Sequence, residues 1–377
     1  MRLDNNQRAF FELLRAGLWE KDARLSQNKD IDYSAIMRLA EEQSVVGIVA
    51  AGLEHVVDAK APQVLALQFA GQAIQLEQRN KTMNAFIADL IEKLRKEDIY
   101  AILVKGQGIA QCYEKPLWRS SGDVDLLLSD SNYDRAKEVS IPLATKVETE
   151  YTHFKHQGMT IDGWEVELHG TQHSRLSKRV DDGIDSVQRE VFYGGKVRSW
   201  MNGDTQVFLP ASDEDVIFVF THILHHFFFE GIGLRQICDW CRLLWTYRDS
   251  LNHDLLESRI RKMGLMSEWK AFAAFAVKWL GMPVEAMPLF EDNHNVNLDK
   301  KADKICKFVL EVGNFGHNKL VHGSNSTRVQ GYFWRKFKSF WVRLRDMFRH
   351  FQLFPKDSIV FFGGVLRSGL HAAMRGE

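Results

Sequence analysis

Cysteine is scarce. Cys112, Cys238, Cys241 and Cys306 are the four in 377 residues, too few for a disulfide framework in a chain of this size. Cys238-x-x-Cys241 falls inside a helical pattern and has no second ligand pair at zinc-site spacing, so it reads as two buried thiols. Net charge is missing too, since 49 Lys and Arg are balanced by 49 Asp and Glu. That balance removes any global argument for nucleic acid or an acidic surface as a partner, and no sequence-specific nucleic-acid binding is expected. Long apolar runs are also absent. The most apolar stretch, Val216 to Phe229, is short and carries three histidines, which suits a buried helix better than a bilayer span. The opening residues, Met-Arg-Leu-Asp-Asn-Asn-Gln-Arg, lack the apolar core of a secretory signal. The expectation is a cytoplasmic protein with reduced thiols and no transmembrane segment.

With 45% hydrophobic and 26% charged residues the chain has an ordinary soluble composition, and its length corresponds to about two domains. Its chemistry is concentrated in Arg119 to Leu128, which reads Arg-Ser-Ser-Gly-Asp-Val-Asp-Leu-Leu-Leu. Successive side chains of a strand point to opposite faces, so Asp123 and Asp125 share one face while Val124 and Leu126 take the other. Two like charges on one face repel unless a cation cancels them, and paired carboxylate oxygens suit a hard ion such as Mg²⁺. A lone Asp-x-Asp also occurs in solvated strand ends. Just upstream, Lys105-Gly106-Gln107-Gly108 follows the buried run Ile99 to Val104. Glycines there let backbone N–H groups approach a phosphate at the start of a helix expected near Ile109 to Tyr113; a plain strand-to-helix turn is the alternative.

Lys105-Gly106, then Arg119-x-x-x-Asp123-Val-Asp125-Leu-Leu-Leu, then Val166-Glu167-Leu-His169 together resemble the uncharacterised bacterial nucleotidyltransferases of the polymerase-β-type superfamily, from about Leu39 to about Trp245. The resemblance implies an α/β (α+β) fold: a small mixed sheet with the metal-binding Asp-x-Asp on one strand, a third carboxylate on a neighbouring strand, and flanking helical regions. It also implies Mg²⁺ (or Mn²⁺), an NTP and an unidentified hydroxyl acceptor as partners. Glu167 falls where the family places its third carboxylate and is the candidate to complete the metal site or act as the base that takes the acceptor's proton, with Glu165, on the same strand face, in reserve. The superfamily usually has Gly-Ser before the aspartates. Here Gly106 is followed by Gln107 and Gly108, which shifts the phosphate grip to Lys105, Arg119 and Ser121. His169 is a partner of the carboxylates, a phosphate contact or a structural histidine.

Around this core the expected division is 1–98 helical, 99–210 nucleotidyltransferase core and 211–377 helical. Apolar spacing predicts short helices through Phe10 to Leu53, then one long helix from Pro62 to Glu97, or two broken near Gly71. A helix reaches from Ser129 to about Ile141. Val147 to Phe154 and Met159 to His169 read as a hairpin turning at Gln157-Gly158, and Asn202-Gly203 as the turn of a second one. Ser212-Asp-Glu-Asp215 reads as a capping box opening a helix that carries His222, His225 and His226. After Gly231-Ile-Gly233 come Arg235 and Asp239, one turn apart. His222 and His226 have the spacing of a metal-ligand pair. The other readings are a cleft wall facing the sheet and an Arg235 to Asp239 pair that locks the helices. Helices continue through Leu255 to Met263, Trp269 to Leu280 and Lys304 to Val312. Gly313 to Thr327 reads as a connector. Beyond it Phe333 to Phe351 repeats aromatics at helical spacing among basic residues, with nine Lys/Arg against three Asp/Glu from Gly331 to Glu377; such a helix is domain core or a surface for an acidic partner or membrane.

The functional expectation is transfer of a nucleoside monophosphate from an NTP to a hydroxyl, with release of pyrophosphate. Two rivals are kept: a catalytically inactive nucleotide-binding sensor on the same fold, and a metal-dependent phosphohydrolase centred on His222, His226 and Asp239.

Overall fold

The computed structural model describes residues 1–28, 30–150, 155–291, 295–314, 349–355 and 358. Four helices come first: α1 (Asn5–Trp19), α2 (Tyr33–Glu42), α3 (Val46–Glu54) and α4 (Gln63–Lys96). Asp4 and Gln7 form a capping box on α1, and Asp32 caps α2, each satisfying backbone N–H groups that a helix start leaves open. Gly71 does not interrupt α4, and Pro62 sits just before it as the N-cap.

The sheet has seven strands: β1 (Ile102–Val104), β2 (Val124–Leu127), β3 (Ala144–Val147), β4 (His156–Ile161), β5 (Trp164–His169), β6 (Val197–Asn202) and β7 (Thr205–Pro210), in the spatial order β3-β4-β5-β2-β1-β7-β6. It is mixed, with β1 antiparallel to β2 while β2 runs parallel to β5 and β1 parallel to β7. Register does the positioning: Asp125 stands beside Val104 on one side and Glu167 on the other. Alternation sends Val124, Leu126, Val166 and Leu168 to one face, where they are buried with Phe86, Leu90 and Leu94 of α4 and Tyr133 of α6 (Asp130–Ser140). Asp125, Glu167 and His169 therefore turn to the other face. There Ile102, Val104 and Leu127 join the larger core with α8 (Ser212–Phe229) and α9 (Leu234–Tyr247). Burial of these apolar side chains, at about 25 cal/mol per Å², is what holds the polar face against a helical wall.

Between them lie α5 (Gly106–Ala110), three residues earlier than expected, and α7 (Lys178–Tyr193), which buries Val180, Ile184, Val187 and Val191. After α9 come α10 (His253–Met263), α11 (Met266–Leu280) and α12 (Val296–Val312). The N-terminal helix α1 shares one core with α11. Trp19 Nε1 donates to the Leu280 carbonyl at 2.6 Å, and Phe11 packs on Trp279 with ring centroids 5.5 Å apart. Among the described residues no helix is long and apolar enough to cross a membrane.

Two local expectations are corrected. The hairpin does not turn at Gln157-Gly158, which lie inside β4 opposite Leu168 and Glu167. It turns at Asp162-Gly163, both at positive φ (50° and 80°), the pair of conformations a two-residue hairpin turn requires and Asp-Gly supplies. Ser212 is not a cap: Ala211 precedes α8 and makes no side-chain cap bond. The acids of that first turn serve tertiary pairs instead, Asp215 with Arg198 and Glu214 with Arg259. The basic aromatic stretch from Phe333 to Phe348, most of the Gly313 to Thr327 connector and residues 151–154 of the first expected strand lie outside the described residues.

Candidate active site

The chain leaves β1 at Lys105 with φ 58° and ψ −148°, a region that residues other than glycine rarely occupy and that costs about 1–3 kcal/mol. Gly106 follows at φ 44°. This bend brings the Lys105 ammonium over the end of β2, where it donates to Asp125 Oδ1 at 3.0 Å. His169 Nε2 donates to the same oxygen at 2.8 Å. Glu167 Oε2 lies 3.3 Å from His169 Nε2 and 3.2 Å from His156 Nε2. The two imidazoles are cross-strand partners and stack with centroids 4.9 Å apart and planes 11° off parallel.

Carboxylate oxygens of Asp123, Asp125 and Glu167 all lie within 4.8 Å of one another. The charge of Asp125, then burial, then Glu167 push the Asp123 carboxyl above its ordinary range. Burial opposes the charge of Asp125 as well, but Lys105 and the His169 hydrogen bond outweigh it and hold that carboxyl low. Glu167 follows the same pattern: burial is overcome by hydrogen bonds from His156 and His169. In return Asp125 and Glu167 raise His169 despite its burial. A carboxylate trio with one member under like-charge strain is a donor set that fits a hard divalent cation.

The loop that delivers Asp123 is fastened from behind by Asn80 of α4. Asn80 Nδ2 donates to the carbonyls of Leu117 and Arg119 at 2.7 and 2.8 Å, and its Oδ1 accepts from Gln107 at 2.9 Å and from the Ser121 hydroxyl. At Gly47 a Cβ would stand 1.9 Å from the Trp118 carbonyl oxygen, so α3 reaches this loop only because the residue is glycine. Ser121 thus faces α4 and is not among the residues lining the cavity.

That cavity, about 390 Å³, has the acidic trio and Lys105 on its sheet side and His222, His225, His226, Arg235 and Asp239 on its helical side. The structure therefore brings together most of the residues singled out from sequence, and redistributes the rest. Asp239 is not the partner of Arg235 in a helix-locking pair. It accepts a two-point fork from Arg119, Nη2 at 2.6 Å and Nε at 3.1 Å, and the Tyr113 hydroxyl at 2.8 Å. Arg119 is 5% exposed, and a buried guanidinium keeps its charge through such a fork. Arg235 Nη1 donates to the Ser120 carbonyl at 3.2 Å. Burial, then the nearby charge of Arg119, lower the Arg235 pKa, so an anion arriving there would be stabilised.

Two histidines of α8, His222 and His225, are kept neutral. Burial drives His222 well below its usual range and, with His226, brings His225 down to about 4. His222 and His226 meet through their Nε2 atoms at 2.9 Å, and His225 Nδ1 donates to the Ser174 carbonyl at 2.7 Å. Among the described residues the groups close enough to hold a metal are Asp123/Asp125/Glu167 and His156/Glu167/His169; His222, His226 and Asp239 are not brought together as one. Glu165 lies toward the outer end of β5, accepting from the Thr160 hydroxyl at 3.0 Å, and Cys238 and Cys241 are buried free thiols. Sequence reasoning missed Asn80, His156 and the cavity-lining stretch 171–175, which includes His173, paired to Asp185 at 2.7 Å.

Asp125 on a central strand with Asp123 just before it, a third carboxylate in register beside them and a cationic rim thus meet on one face of a mixed sheet. Residues 29–281 match the family described as uncharacterised nucleotidyltransferase, and the chain belongs to that family. Among solved structures the chain is similar to an antigenic nucleotidyltransferase-like protein from Paracoccidioides brasiliensis, with 14% identity and a TM-score of 0.31 over 56% of this chain and 96% of that one. At that level the likeness carries no argument about the site. No curated protein matches the chain.

Proposed function

We propose that the protein is a metal-dependent nucleotidyltransferase that moves a nucleoside monophosphate from an NTP to a hydroxyl acceptor and releases pyrophosphate. The observation that carries this reading is the convergence of Asp123, Asp125 and Glu167 on one face of a cavity that also holds Lys105 and Arg235. The acceptor oxygen bonds to the α-phosphorus as the bond to the β-phosphate oxygen breaks, pyrophosphate leaves, and the acceptor's proton passes to solvent water. Such transfers are accelerated chiefly by positioning and charge neutralisation. Asp123, Asp125 and Glu167 would hold Mg²⁺ (or Mn²⁺), which when bound neutralises phosphate charge and lowers the pKa of a coordinated hydroxyl.

Within this reading Lys105 and His169 act as counter-cations that keep Asp125 ionised before the substrate arrives. Lys105 then has phosphate oxygens within the same cavity to turn to. Glu167, held firmly deprotonated by two histidines, suits cation binding better than proton removal. Arg235, which lines the far wall, supplies positive charge there for the phosphates or the acceptor. Arg119 supports that wall through Asp239 and reaches substrate less readily than its place in the motif implies. A cytoplasmic setting, where NTPs and reduced thiols coexist, agrees with this assignment.

A second reading, nucleotide binding without turnover, draws on Ser121 and Arg119, which are engaged by Asn80 and Asp239. Pyrophosphate release separates the two. With each NTP, Mg²⁺ and a panel of hydroxyl acceptors from small alcohols to proteins, a transferase releases pyrophosphate in step with a labelled acceptor, and Asp125→Asn does not. Tight Mg²⁺-dependent nucleotide binding with no pyrophosphate under any acceptor would establish the sensor instead.

A further inference from the structure

Beside the all-carboxylate trio lies a second donor set of different chemistry. Glu167 Oε2 is 3.2 Å from His156 Nε2 and 3.3 Å from His169 Nε2, and the three donor atoms lie within 4.8 Å of one another. Those two separations are long for a charge-assisted N–H···O bond, whose usual length is about 2.7–2.9 Å. They are close to the edge of a tetrahedron built on bonds of about 2.0–2.1 Å, which is roughly 3.3 Å. The scaffold is rigid, because His156 and His169 are directly opposed across the β4–β5 ladder and Glu167 is two residues from His169 on the same face. The rings stack nearly parallel, so aiming both lone pairs at one point requires turning χ2, a torsion with a broad minimum in histidine.

We propose that His156, Glu167 and His169 form a binding site for a borderline divalent transition ion of the Zn²⁺ class, adjacent to the carboxylate trio and sharing Glu167 with it. Imidazole nitrogens favour Zn²⁺ and its neighbours, whereas Mg²⁺ takes oxygen donors and keeps its waters, so the two donor sets select different ions. Ligation turns His169 Nε2 away from Asp125, whose Oδ1 is then shared with one cation fewer. The site stands on its own ligands and does not depend on nucleotidyl transfer.

The test is a Co²⁺ titration of the untagged, chelator-treated full chain, followed by the visible ligand-field absorption of the ion. The expected result is one equivalent bound with the intense bands of a low-coordinate site, displaced by Zn²⁺ and not by millimolar Mg²⁺. His156→Ala should weaken Co²⁺ binding by about 100-fold, since it removes a direct ligand. Asp123→Asn, which touches only the carboxylate trio, should leave it within about 3-fold. If His156→Ala does not fold by circular dichroism, His156→Asn serves the same purpose. Absence of ligand-field bands, ready displacement by Mg²⁺, or loss of Co²⁺ binding in Asp123→Asn with retention in the His156 variant would overturn the proposal. Co²⁺ binding without any NTP binding would sink the transferase reading and leave this site standing.

Discussion

On the sheet wall of the cavity Asp125 accepts from both Lys105 and His169, and Glu167 lies between two imidazoles. On the helical wall, only a cavity's width away, His222 and His225 are stripped of charge by burial, and the carboxylates are already engaged, Asp239 by Arg119 and Tyr113 and Glu230 by His226. Both walls are polar. The first keeps its charges separated and available to a cation, while the second cancels or neutralises them and leaves Arg235 as its main positive feature. A strand face, with side chains every second residue, crowds acids within reach of a common ion. A helix face distributes its polar groups among apolar neighbours, and burial then decides their charge state. The sheet wall gathers charge at one point and the helical wall disperses it.

The largest expected effect follows from removing charge on the sheet wall. Asp125→Asn should lower metal-dependent turnover at least about 1,000-fold, measured as pyrophosphate release, because it deletes a donor shared by the whole centre. Next comes the helical wall, where Asp239→Asn leaves Arg119 buried without its counter-charge and should cost about 3–5 kcal/mol in urea unfolding. Replacing both residues by apolar ones of similar size should cost much less than Asp239→Asn alone.

Glu167→Gln tests whether that carboxylate is a ligand or a base. A ligand role predicts a fall of about 10- to 100-fold in apparent Mg²⁺ affinity, with turnover partly regained at high Mg²⁺. A base role predicts lost turnover at every Mg²⁺ concentration. The two aspartates should differ in stability even though they share a face. With chelator present, Asp123→Asn should raise the unfolding temperature, since it relieves the repulsion from Asp125. Asp125→Asn should lower that temperature, corresponding to a stability loss of about 1–3 kcal/mol, because Lys105 and His169 lose their acceptor. Like-charge reasoning from the Asp-x-Asp pattern alone treats the two as equivalent.

The smallest effect is on pH dependence. His225 is held at about 4, down from 6.5, by burial and then by His226. Its neutral form is the folded form, so the unfolded chain takes up the proton first. That contribution is complete above pH 6.5 and is lost as pH falls toward 4. His225→Gln keeps a donor for the Ser174 carbonyl and should flatten this slope, by an amount on the order of 1 kcal/mol after allowing for partial exposure. An unchanged pH profile of the melting temperature would remove His225 from the account.

Several of these features are legible in the chain itself. Alternation in β2 and β5 places Asp123, Asp125 and Glu167 on one face, and the apolar positions of α4 announce the helix beneath them. His156 is not legible so long as Gln157-Gly158 is taken for the turn. Moving the turn five residues on, to Asp162-Gly163, makes His156 the partner of His169, so the missing signal was the Asp-Gly pair. Arg119 and Asp239 are separated by 120 positions in sequence, and no local pattern links them; the nearby Arg235 is the obvious mate by helical spacing. Asp239 prefers Arg119 because the fork and the Tyr113 hydroxyl together satisfy a buried carboxylate more fully than one partner a turn away. Asp215 illustrates the same limit, where a local capping pattern yields to a tertiary ion pair with Arg198.

On the proposed reading the sheet wall binds nucleotide through a metal held by its carboxylates. Calorimetric titration of a nonhydrolysable NTP into the full chain, with Mg²⁺ and with chelator, measures this directly in wild type and in Asp123→Asn. Binding should require Mg²⁺ and be lost in Asp123→Asn, while the variant's melting temperature in chelator does not fall. Binding of equal strength without metal, or unaffected by Asp123→Asn, would contradict it.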